Sequence, residues 1–370
     1  MLLIDIGTSF VKSFNTLNSQ TFKTENFQGE FGIDIISRID YSLKSKENYQ
    51  KIREKLIYTI KKHLIYNNIE FNYVNNEFKN LNTNVFLIGN SVMQGFYDGI
   101  SLKNMARKPF RLPKYNKNIN SENIEFFPCI GGFAGSDIYP LIWKLKNSPE
   151  KIALGMDFGT NCEILLKIED KIFVSSAPAG PAFENISFLA DNIIIDVKFD
   201  GVLQFFLKEN SKKADFITPH AFIKLISLLL KRKMISKNGR INNNIVKNNV
   251  NIDTNKIREL LKAKAAVSST VEILKKYYAK GKNIEKIYIS GNMINSDTVE
   301  YMKNLGIIED LEVFICKELF YSFAYYSNKY INNKKKLIKS IKDKVFYFPH
   351  YNLSDYDEIF INELYFGEKI

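Results

Sequence analysis

Short apolar runs alternate along the chain with longer runs in which apolar residues recur at helical spacing. The apolar runs predict strands at Leu2–Ile6, Phe10–Phe14, Val85–Ile88, Ile152–Met156, Ile164–Ile168, Ile172–Val174 and Ile287–Ile289. The helical spacing predicts helices at Glu47–Tyr66, Ala221–Leu230, Thr254–Lys280 and Phe320–Tyr330. The stretch Asn242–Asn251 is rich in asparagine, which predicts a loop. Strands that alternate with helices are typical of an α/β fold.

One short motif occurs twice, each time between two predicted strands. Asp5-Ile6-Gly7-Thr8-Ser9 returns as Asp157-Phe158-Gly159-Thr160-Asn161. Glycine lets the backbone approach a phosphate closely, and successive N–H groups of such a turn form an anion-binding nest to which the threonine hydroxyl adds a donor. A carboxylate at the end of the strand is a suitable ligand for Mg²⁺, usually through water. One such motif is consistent with a plain hairpin turn, whereas two predict related halves that clamp one polyphosphate.

The chain has 370 residues, more than one hydrophobic core usually supports, so two lobes are expected. We place the boundary near Asn147–Lys151, which gives domains 1–150 and 151–370. The net charge is +12, but lysines are scattered and no nucleic-acid motif accompanies them. The composition therefore predicts neither a nucleic-acid nor a membrane partner.

The three cysteines, Cys129, Cys162 and Cys316, lie far apart in the sequence. Iron–sulfur and zinc sites need clustered thiolates, so neither is expected in this chain. Scattered cysteines also favour a reducing, cytoplasmic compartment. The N-terminal run Met1–Asp5 lacks a basic flank, and no apolar stretch of about 20 residues occurs, so neither a signal peptide nor a spanning helix is expected.

The paired motifs resemble the two phosphate motifs of the superfamily of actin, sugar kinases and heat-shock chaperones. The run Ile287–Asn292 stands where that superfamily has its adenosine motif, with Gly291 and Asn292 at its turn. The resemblance implies two actin-like, ribonuclease H-like lobes with a nucleotide cleft between them. It also implies that ATP and Mg²⁺ are the cofactors, bound by the residues Asp5, Gly7, Thr8, Ser9, Asp157, Gly159, Thr160, Asn161, Gly291 and Asn292.

A narrower family, the ATPase parts of reductive activators of corrinoid proteins, resembles nearly the whole chain. The matching runs are Gly32–Ile39, Ile88–Met93, Ile130–Asp137, Asp157–Ile164, Ala177–Glu184, Lys262–Ala266 and Tyr365–Gly367. Such activators couple ATP hydrolysis to the reduction of an inactive cobalt(II) corrinoid protein to cobalt(I). The resemblance implies a corrinoid or related metallocofactor protein as partner. In the family the electron normally arrives through a fused iron–sulfur domain, which this sequence lacks, so we expect an external ferredoxin-like donor.

The sequence departs from the family at two further turns. A glycine-rich turn that usually precedes the helix Ala221–Leu230 is replaced by Thr218-Pro219-His220, and the small adenosine turn reads Gly291-Asn292-Met293. These differences concern the details of the nucleotide pocket and leave open whether ATP is hydrolysed.

Several single residues allow two interpretations each. Asp137 is a candidate for orienting the attacking water, as phosphoryl-transfer sites require, or for capping a helix at Ile138–Leu145. Gly180 and Glu184 lie in a matched run, where Glu184 contacts ribose or the partner or only fixes its loop. Arg38 reaches a phosphate or an acidic partner, or forms a structural ion pair. Cys162 is expected to be a small buried residue, and His220 a loop residue rather than a cobalt ligand.

We therefore expect an ATP-dependent activation factor for a corrinoid protein, with Asp5, Asp137 and Asp157 as its catalytic residues and Asp5 and Asp157 as its metal ligands. Two alternatives remain at this point: a small-molecule kinase of the same superfamily, with Asp137 as base, and a non-catalytic scaffold that binds a partner. The oligomeric state is open, and a homodimer is one candidate.

Overall fold

The computed structural model describes residues 1–32, 34–107, 110, 123–179, 182–183, 192–209 and 213–367. In chain order the strands are β1 Leu2–Ile6, β2 Phe10–Asn15, β3 Gln20–Glu25, β4 Asn72–Val74, β5 Glu77–Lys79, β6 Val85–Gly89, β7 Ile124–Phe126, β8 Ile152–Phe158, β9 Cys162–Ile168, β10 Lys171–Ala177, β11 Ile193–Asp200, β12 Val202–Leu207, β13 Phe216–Ile217, β14 Ile245–Lys247, β15 Val250–Ile252, β16 Lys286–Gly291, β17 Val313–Ile315 and β18 Val345–Tyr347. The α-helices are α1 Ile35–Lys44, α2 Lys46–Tyr66, α3 Ser91–Tyr97, α4 Tyr139–Lys146, α5 Pro219–Lys231, α6 Thr254–Leu274, α7 Ser296–Asn304, α8 Leu319–Asn328, α9 Lys334–Lys342 and α10 Tyr356–Asn362.

The chain divides into two compact units. The first contains Met1–Ser148, Asp170–Val174 and Glu318–Pro349, and the second contains Pro149–Glu169, Ser175–Lys317 and His350–Ile370. The domains predicted from the sequence are continuous segments, whereas these units exchange short segments of chain. The exchange has a physical cause, because α8 and α9 pack against α4 of the first unit, where Trp143 lies 5.3 Å from the ring of Tyr326.

The first unit is built on a five-stranded sheet with the order β3-β2-β1-β6-β7. β1, β2 and β3 are antiparallel neighbours, while β6 and β7 run parallel to β1. Successive residues along β1 face opposite sides of the sheet. Leu2, Ile4 and Ile6 therefore pack on one side into a core that α1, α2 and α3 complete. On the other side Phe14 of β2 meets the ring of Tyr321 from α8 at 5.1 Å.

The second unit contains the strands β10-β9-β8-β16-β17 in that order. β8 and β9 are antiparallel, and β16 and β17 run parallel to β8. β10 passes from one unit to the other, since its residues up to Val174 belong to the first unit and pair with β18. Apart from the additional edge strand β18, which pairs with β10, this order repeats that of the first sheet. The repeated motif thus marks a repeated sheet, which confirms the predicted α/β fold with two related halves.

Helices of the second unit cover this sheet and a smaller one. α6 packs against β9 and α10, and α5 packs against both α7 and the sheet β12-β11-β13. Asp253 caps α6, because its side chain accepts a hydrogen bond from the backbone N–H of Lys256. The helix ends in a π turn at Lys275–Ala279, with Lys280, the predicted end of the helix, in the left-handed conformation.

The prediction of a loop at Asn242–Asn251 was wrong, because this stretch contains most of the hairpin β14–β15. Asn248 has φ of 53°, a conformation that asparagine tolerates better than most residues, and it provides the tight turn. Val250 and Ile252 then bury their side chains. The asparagines dominate the composition here, but two buried aliphatic residues decide the structure.

Candidate functional site

The first motif forms the turn between β1 and β2. Asp5 stands opposite Lys12 in the antiparallel pair, and the lysine Nζ lies 3.0 Å from the carboxylate Oδ2. The aspartate side chain is 17% exposed, so the pair is partly accessible at the strand end. The Lys12 ammonium also lies 4.7 Å from the centre of the Phe320 ring. The turn therefore carries a carboxylate and a cation side by side, and the role of the cation was not predicted from the sequence.

Gly7 cannot be replaced without a shift of the backbone. A Cβ atom at this position would come within 2.7 Å of the carbonyl oxygen of Phe10. The absent side chain is what allows the chain to turn so tightly after β1. The following residue, Thr8, is buried, and its Oγ1 accepts a hydrogen bond from Asn90 Nδ2 at 3.4 Å.

The neighbouring strand, β6, ends in a Gly-Asn pair, Gly89 and Asn90, beside the first turn. Gly89 ends β6 directly opposite Ile6, where a Cβ would meet the Ile6 carbonyl oxygen at 2.8 Å. Asn90 caps α3, accepting from the N–H groups of Val92 and Met93. The sequence did hold a signal for the Gly89-Asn90 pair, because Gly291-Asn292 stands at the end of β16, the corresponding strand of the second unit.

Asp137 lies close to the end of β6 and is half-buried. Its backbone N–H donates to the carbonyl oxygen of Gly89 at 3.4 Å, and the N–H of Ser136 donates to the same oxygen at 2.9 Å. α4 begins only at Tyr139, with Ile138 at the N-cap and no side-chain cap. The interpretation of Asp137 as a helix cap is therefore wrong.

The glycines before Asp137 serve packing. A Cβ on Gly131 or Gly132 would lie within 2.3 or 2.0 Å of atoms of Tyr347, which lies in β18. A Cβ on Gly135 would lie 2.1 Å from the carbonyl oxygen of Gly89. These close approaches bring Asp137 next to the end of β6.

The second motif forms the turn between β8 and β9. The turn is closed between Gly159 and Asn161, since the N–H of Gly159 donates to the carbonyl oxygen of Asn161 at 2.9 Å. Asp157 stands opposite Ser290 of β16, whose hydroxyl donates to the aspartate Oδ1 at 2.5 Å. Asp157 is thus held by a neighbouring hydroxyl, in contrast to Asp5, which is held by a lysine.

A polar row continues from Asp157 across the sheet. Glu163 stands opposite Asp157 in the antiparallel pair, is buried, and accepts from the hydroxyl of Ser176 at 3.1 Å. Side chains opposite each other in such a pair lie about 4.5–5.5 Å apart at Cβ. Glu163, Ser176 and Ser290 had not been singled out in the sequence, because their proximity to Asp157 depends on strand pairing.

Cys162 follows this turn and is fully buried, which confirms the prediction of a small buried residue. Burial, and then the neighbouring carboxylates of Glu163 and Asp157, raise the pKa of its thiol well above the ordinary value. A thiol in this state is a poor nucleophile.

The predicted adenosine turn follows β16. Gly291 has φ of 138° and stands opposite Phe158, where a Cβ would lie 2.5 Å from the phenylalanine carbonyl oxygen. Asn292 is exposed, whereas Met293 is buried. Glycine is therefore required at position 291 by the close approach of two strands, and the turn leaves the asparagine side chain accessible.

His220 lies in the first turn of α5 rather than in a loop. Its Nδ1 lies 2.7 Å from the hydroxyl of Thr298 on α7, and burial lowers its pKa. Thr218 caps the same helix by accepting from the N–H of Ala221. The Thr-Pro-His sequence that departs from the family pattern is therefore a helix start that joins α5 to α7.

Two predicted site residues, Gly180 and Glu184, lie outside the described residues. Among the residues that are described, no group of three or more histidine, cysteine or acidic side chains is arranged to hold a metal ion. In the same part of the chain, none of the helices combines the length and the apolar character needed to span a membrane.

In a comparison with known proteins, both halves of the chain match regions of one family. Residues 151–369 match the family described as the C-terminal domain of RACo, the ASKHA domain, and residues 2–146 match the RACo middle region. The corrinoid activation enzyme RamQ of Eubacterium limosum is 26% identical over an alignment of 373 positions, gaps included. The alignment covers 84% of this chain and 60% of that protein.

A solved structure with the same fold is described as a reductive activator for corrinoid, iron–sulfur protein. It matches with a TM-score of 0.74 and 20% identity, over 99% of this chain and 65% of that one. The chain thus spans less than two thirds of the length of both relatives. Since the RACo descriptions together match nearly every residue, the chain belongs to the RACo family, with an actin-like ASKHA fold of the kind that implies nucleotide and Mg²⁺ binding.

Proposed function

We propose that this chain binds Mg²⁺–ATP through the turns Gly7–Ser9 and Gly159–Asn161 and uses its hydrolysis to assist the reductive activation of a corrinoid protein. The observation that carries the proposal is the duplicated turn. Each copy ends the central strand of a sheet with the same strand order, and each is followed by a Gly-Asn pair on the neighbouring parallel strand.

The residues at both turns fit a nucleotide. The Gly7 turn lacks the side chain that would obstruct close approach to the backbone, and Thr8 places a hydroxyl beside it. Asp5 and Asp157 each lie one residue before the end of a strand, and their carboxylates are suited to hold Mg²⁺ through water. The bound metal and nucleotide would supply the phosphoryl group and neutralise its charge. Lys12 adds a cation beside the first turn, within 3.0 Å of Asp5.

Asp137 is the proposed general base. Its backbone is held at the end of β6 by Gly89, and it does not cap α4, so its carboxylate has no part in starting that helix. A carboxylate beside a phosphate site accepts a proton from, or orients, the attacking oxygen. The same position would serve a kinase, whose attacking oxygen belongs to a small molecule instead of water.

The partner is proposed from the relatives. One is a corrinoid activation enzyme, and another is a reductive activator for a corrinoid, iron–sulfur protein. We propose a corrinoid protein as the partner of this chain and a ferredoxin-like protein as the electron donor. Reduction of cobalt(II) to cobalt(I) takes one electron, which this donor would supply while hydrolysis provides the driving force.

The first test is calorimetric titration of the chain with ATP and Mg²⁺. We expect micromolar binding by the wild type and a loss of at least about tenfold in Asp157→Asn, which removes the charge but keeps the shape. Asp215→Asn is the matched control, because Asp215 is a surface aspartate that contacts two asparagines of the second unit away from the turns. Absence of binding by the wild type would contradict the proposal and favour a partner-binding scaffold.

The second test measures ATP hydrolysis with and without a corrinoid protein in its cobalt(II) state, together with the cobalt(I) absorbance when a reduced ferredoxin is present. Stimulated hydrolysis and cobalt(I) formation, both lost in Asp137→Asn, are expected. Phosphate transfer to a sugar or an organic acid in the absence of any corrinoid protein would favour the kinase alternative.

A further inference from the structure

The turn Gly7–Ser9 is supported from behind by two buried side chains. Asn26 Nδ2 donates to the carbonyl oxygen of Gly7 at 2.8 Å, and Arg38 Nη2 donates to the carbonyl oxygen of Thr8 at 2.8 Å. The backbone N–H of Asn26 also donates to the carbonyl oxygen of Ser9 at 2.9 Å. Three successive carbonyl groups of the turn are therefore directed into the protein.

Arg38 is buried and binds a second carbonyl group besides that of Thr8. Its side chain is 1% exposed, and its Nε donates to the carbonyl oxygen of Gly32 at 2.9 Å. The guanidinium thus bridges two backbone carbonyls that lie 24 positions apart in the sequence, Thr8 and Gly32. α1 fixes the position of the arginine, because Asp34 and Ser37 form a capping box at its start. The two hydrogen bonds to backbone carbonyls are a role that the sequence did not indicate, beside the phosphate contact and the ion pair considered there.

Asn26 supports the same turn as Arg38. Its Oδ1 accepts from the N–H of Gln28 and so caps the short helix Phe27–Phe31, while its Nδ2 faces the turn. Gly29 of that helix lies beside Arg38, since a Cβ there would be 3.9 Å from Nη2. The two donors therefore approach the turn from one side.

Peptide geometry gives these contacts a consequence for the amides. In a trans peptide the carbonyl of one residue and the N–H of the next point in opposite directions across a planar unit. The carbonyls of Gly7 and Thr8 point towards Asn26 and Arg38, so the N–H groups of Thr8 and Ser9 point away from them. Amides oriented in this way form the anion-binding face of such a turn.

We propose that Arg38 and Asn26 are positioning residues, which hold the first turn with its amides directed at the nucleotide phosphates without touching the nucleotide themselves. The proposal rests on the proposed function, because it assigns how the phosphate turn is kept in its binding conformation. Lysine is not equivalent to Arg38, because a single ammonium cannot reproduce the fork that reaches two carbonyls.

The experiment compares the affinities for Mg²⁺–ATP and for adenosine, which has no phosphate. Arg38→Lys is paired with Arg53→Lys, since Arg53 is also buried and donates to two carbonyls, those of Phe96 and Tyr97, at a different place in the first unit. We expect Arg38→Lys to weaken ATP binding about tenfold or more, as the loss of a charged donor to a carbonyl does, with adenosine binding unchanged. Arg53→Lys should leave both affinities within about twofold.

Asn26→Asp provides an independent variant of the same size. It keeps the acceptor that caps Phe27–Phe31 and removes the donor to Gly7, so the helix start survives while the turn loses its support. The control is Asn67→Asp, because Asn67 is a buried asparagine whose Nδ2 donates to the carbonyl oxygen of His63. We expect Asn26→Asp to weaken ATP binding and to leave adenosine binding intact.

Two results would overturn the inference. One is ATP binding at wild-type affinity by both Arg38→Lys and Asn26→Asp. The other is an equal loss of ATP and adenosine binding, which would indicate a general structural role. A wild type that binds adenosine but gains no affinity from the phosphates of ATP would instead contradict the proposed phosphate turns themselves.

Discussion

At the scale of single residues, the two copies of the motif differ in how much they need glycine. A Cβ on Gly7 would be 2.7 Å from a backbone oxygen, whereas one on Gly159 would be 3.5 Å from its nearest neighbour, an ordinary contact. The duplicated glycine is therefore a steric requirement in the first turn only. In the second turn Gly159 does not lie in the positive-φ region, so the close approach of a ligand remains as a reason for it.

This difference predicts unequal effects of alanine. Gly7→Ala should lower the free energy of unfolding by about 1–3 kcal/mol, because the backbone must shift to relieve the contact. Gly159→Ala should change it by less than about 0.5 kcal/mol and should act on nucleotide affinity instead. Urea denaturation of both variants measures the first quantity, and equal destabilisation by the two alanines would contradict this account.

His63 is a buried base of α2 that contacts β2 and β3 of the first unit. Its Nδ1 lies 2.8 Å from Ser13 Oγ and its Nε2 lies 3.0 Å from Thr24 Oγ1, and burial lowers its pKa to about 4. A base with a lowered pKa in the folded state is protonated more readily when unfolded. Its contribution to stability is therefore complete above the ordinary pKa of about 6.5 and is lost as the pH falls towards 4.

We expect His63→Gln to remove this loss. Between pH 6.5 and 4 the wild type should lose about 3 kcal/mol more stability than the variant, since each pH unit in this window corresponds to about 1.4 kcal/mol. Asp98 titrates in the opposite sense, because burial raises its pKa to about 6. The difference between the two unfolding curves, measured by urea denaturation at each pH, isolates the histidine, and parallel curves would contradict the assignment.

At the scale of elements, helix starts differ in how strongly their caps act. Asp253 caps the longest helix of the second unit through a 2.8 Å hydrogen bond, while Glu318 stands at the N-cap of α8 without a side-chain bond. Asp253→Ala should lower the free energy of unfolding by about 1 kcal/mol, and Glu318→Ala should have little effect. Chemical denaturation compares them directly, and a larger effect at Glu318 would be contrary to this prediction.

A buried ion pair joins α6 to the C-terminal segment. Lys264 Nζ lies 2.8 Å from Glu363 Oε2, with the two side chains 2% and 3% exposed, and the ammonium also donates to the Glu363 carbonyl oxygen. Removal of one partner leaves a buried charge without its counterion. The C-terminal segment thus depends on a lysine that the sequence analysis had noted only as part of a matched run.

Lys264→Met should therefore lower the free energy of unfolding by about 3–5 kcal/mol. Lys44→Met, which removes the exposed pair with Asp40, should change it by less than about 1 kcal/mol. The double variant Lys264→Met with Glu363→Met should recover part of the loss. If the double variant were as unstable as the sum of both single variants, the pair itself would not be the cause.

At the scale of the whole molecule, ligand binding should raise stability by mass action. With Mg²⁺–ATP at about 100 times its Kd, the folded chain gains about 2.7 kcal/mol, which a thermal denaturation scan detects as a rise in Tm. Asp157→Asn should lose most of this rise, while Asp215→Asn should keep it. A rise of equal size in all three proteins would indicate binding elsewhere on the chain.

The sequence by itself determined the α/β character, most of the long helices and the two copies of the Asp-x-Gly-Thr turn. These features are local, because a strand, a tight turn and a second strand occupy consecutive residues, and a helix displays its buried face every three or four residues. The duplication was visible for the same reason. Composition misled at Asn242–Asn251, where burial of Val250 and of the following Ile252 outweighs many polar residues.

Only the tertiary structure decided which side chains support the turns. Arg38 reaches Thr8 across 30 positions, Asn90 reaches it across 82, and Ser290 reaches Asp157 across 133. Strand pairing and helix packing bring these residues together, and neither leaves a regular pattern in the chain. The division into two units that exchange short segments was decided in the same way, by the packing of α8 and α9 on α4, because hydrophobic burial depends on neighbours in space and not on order in the sequence.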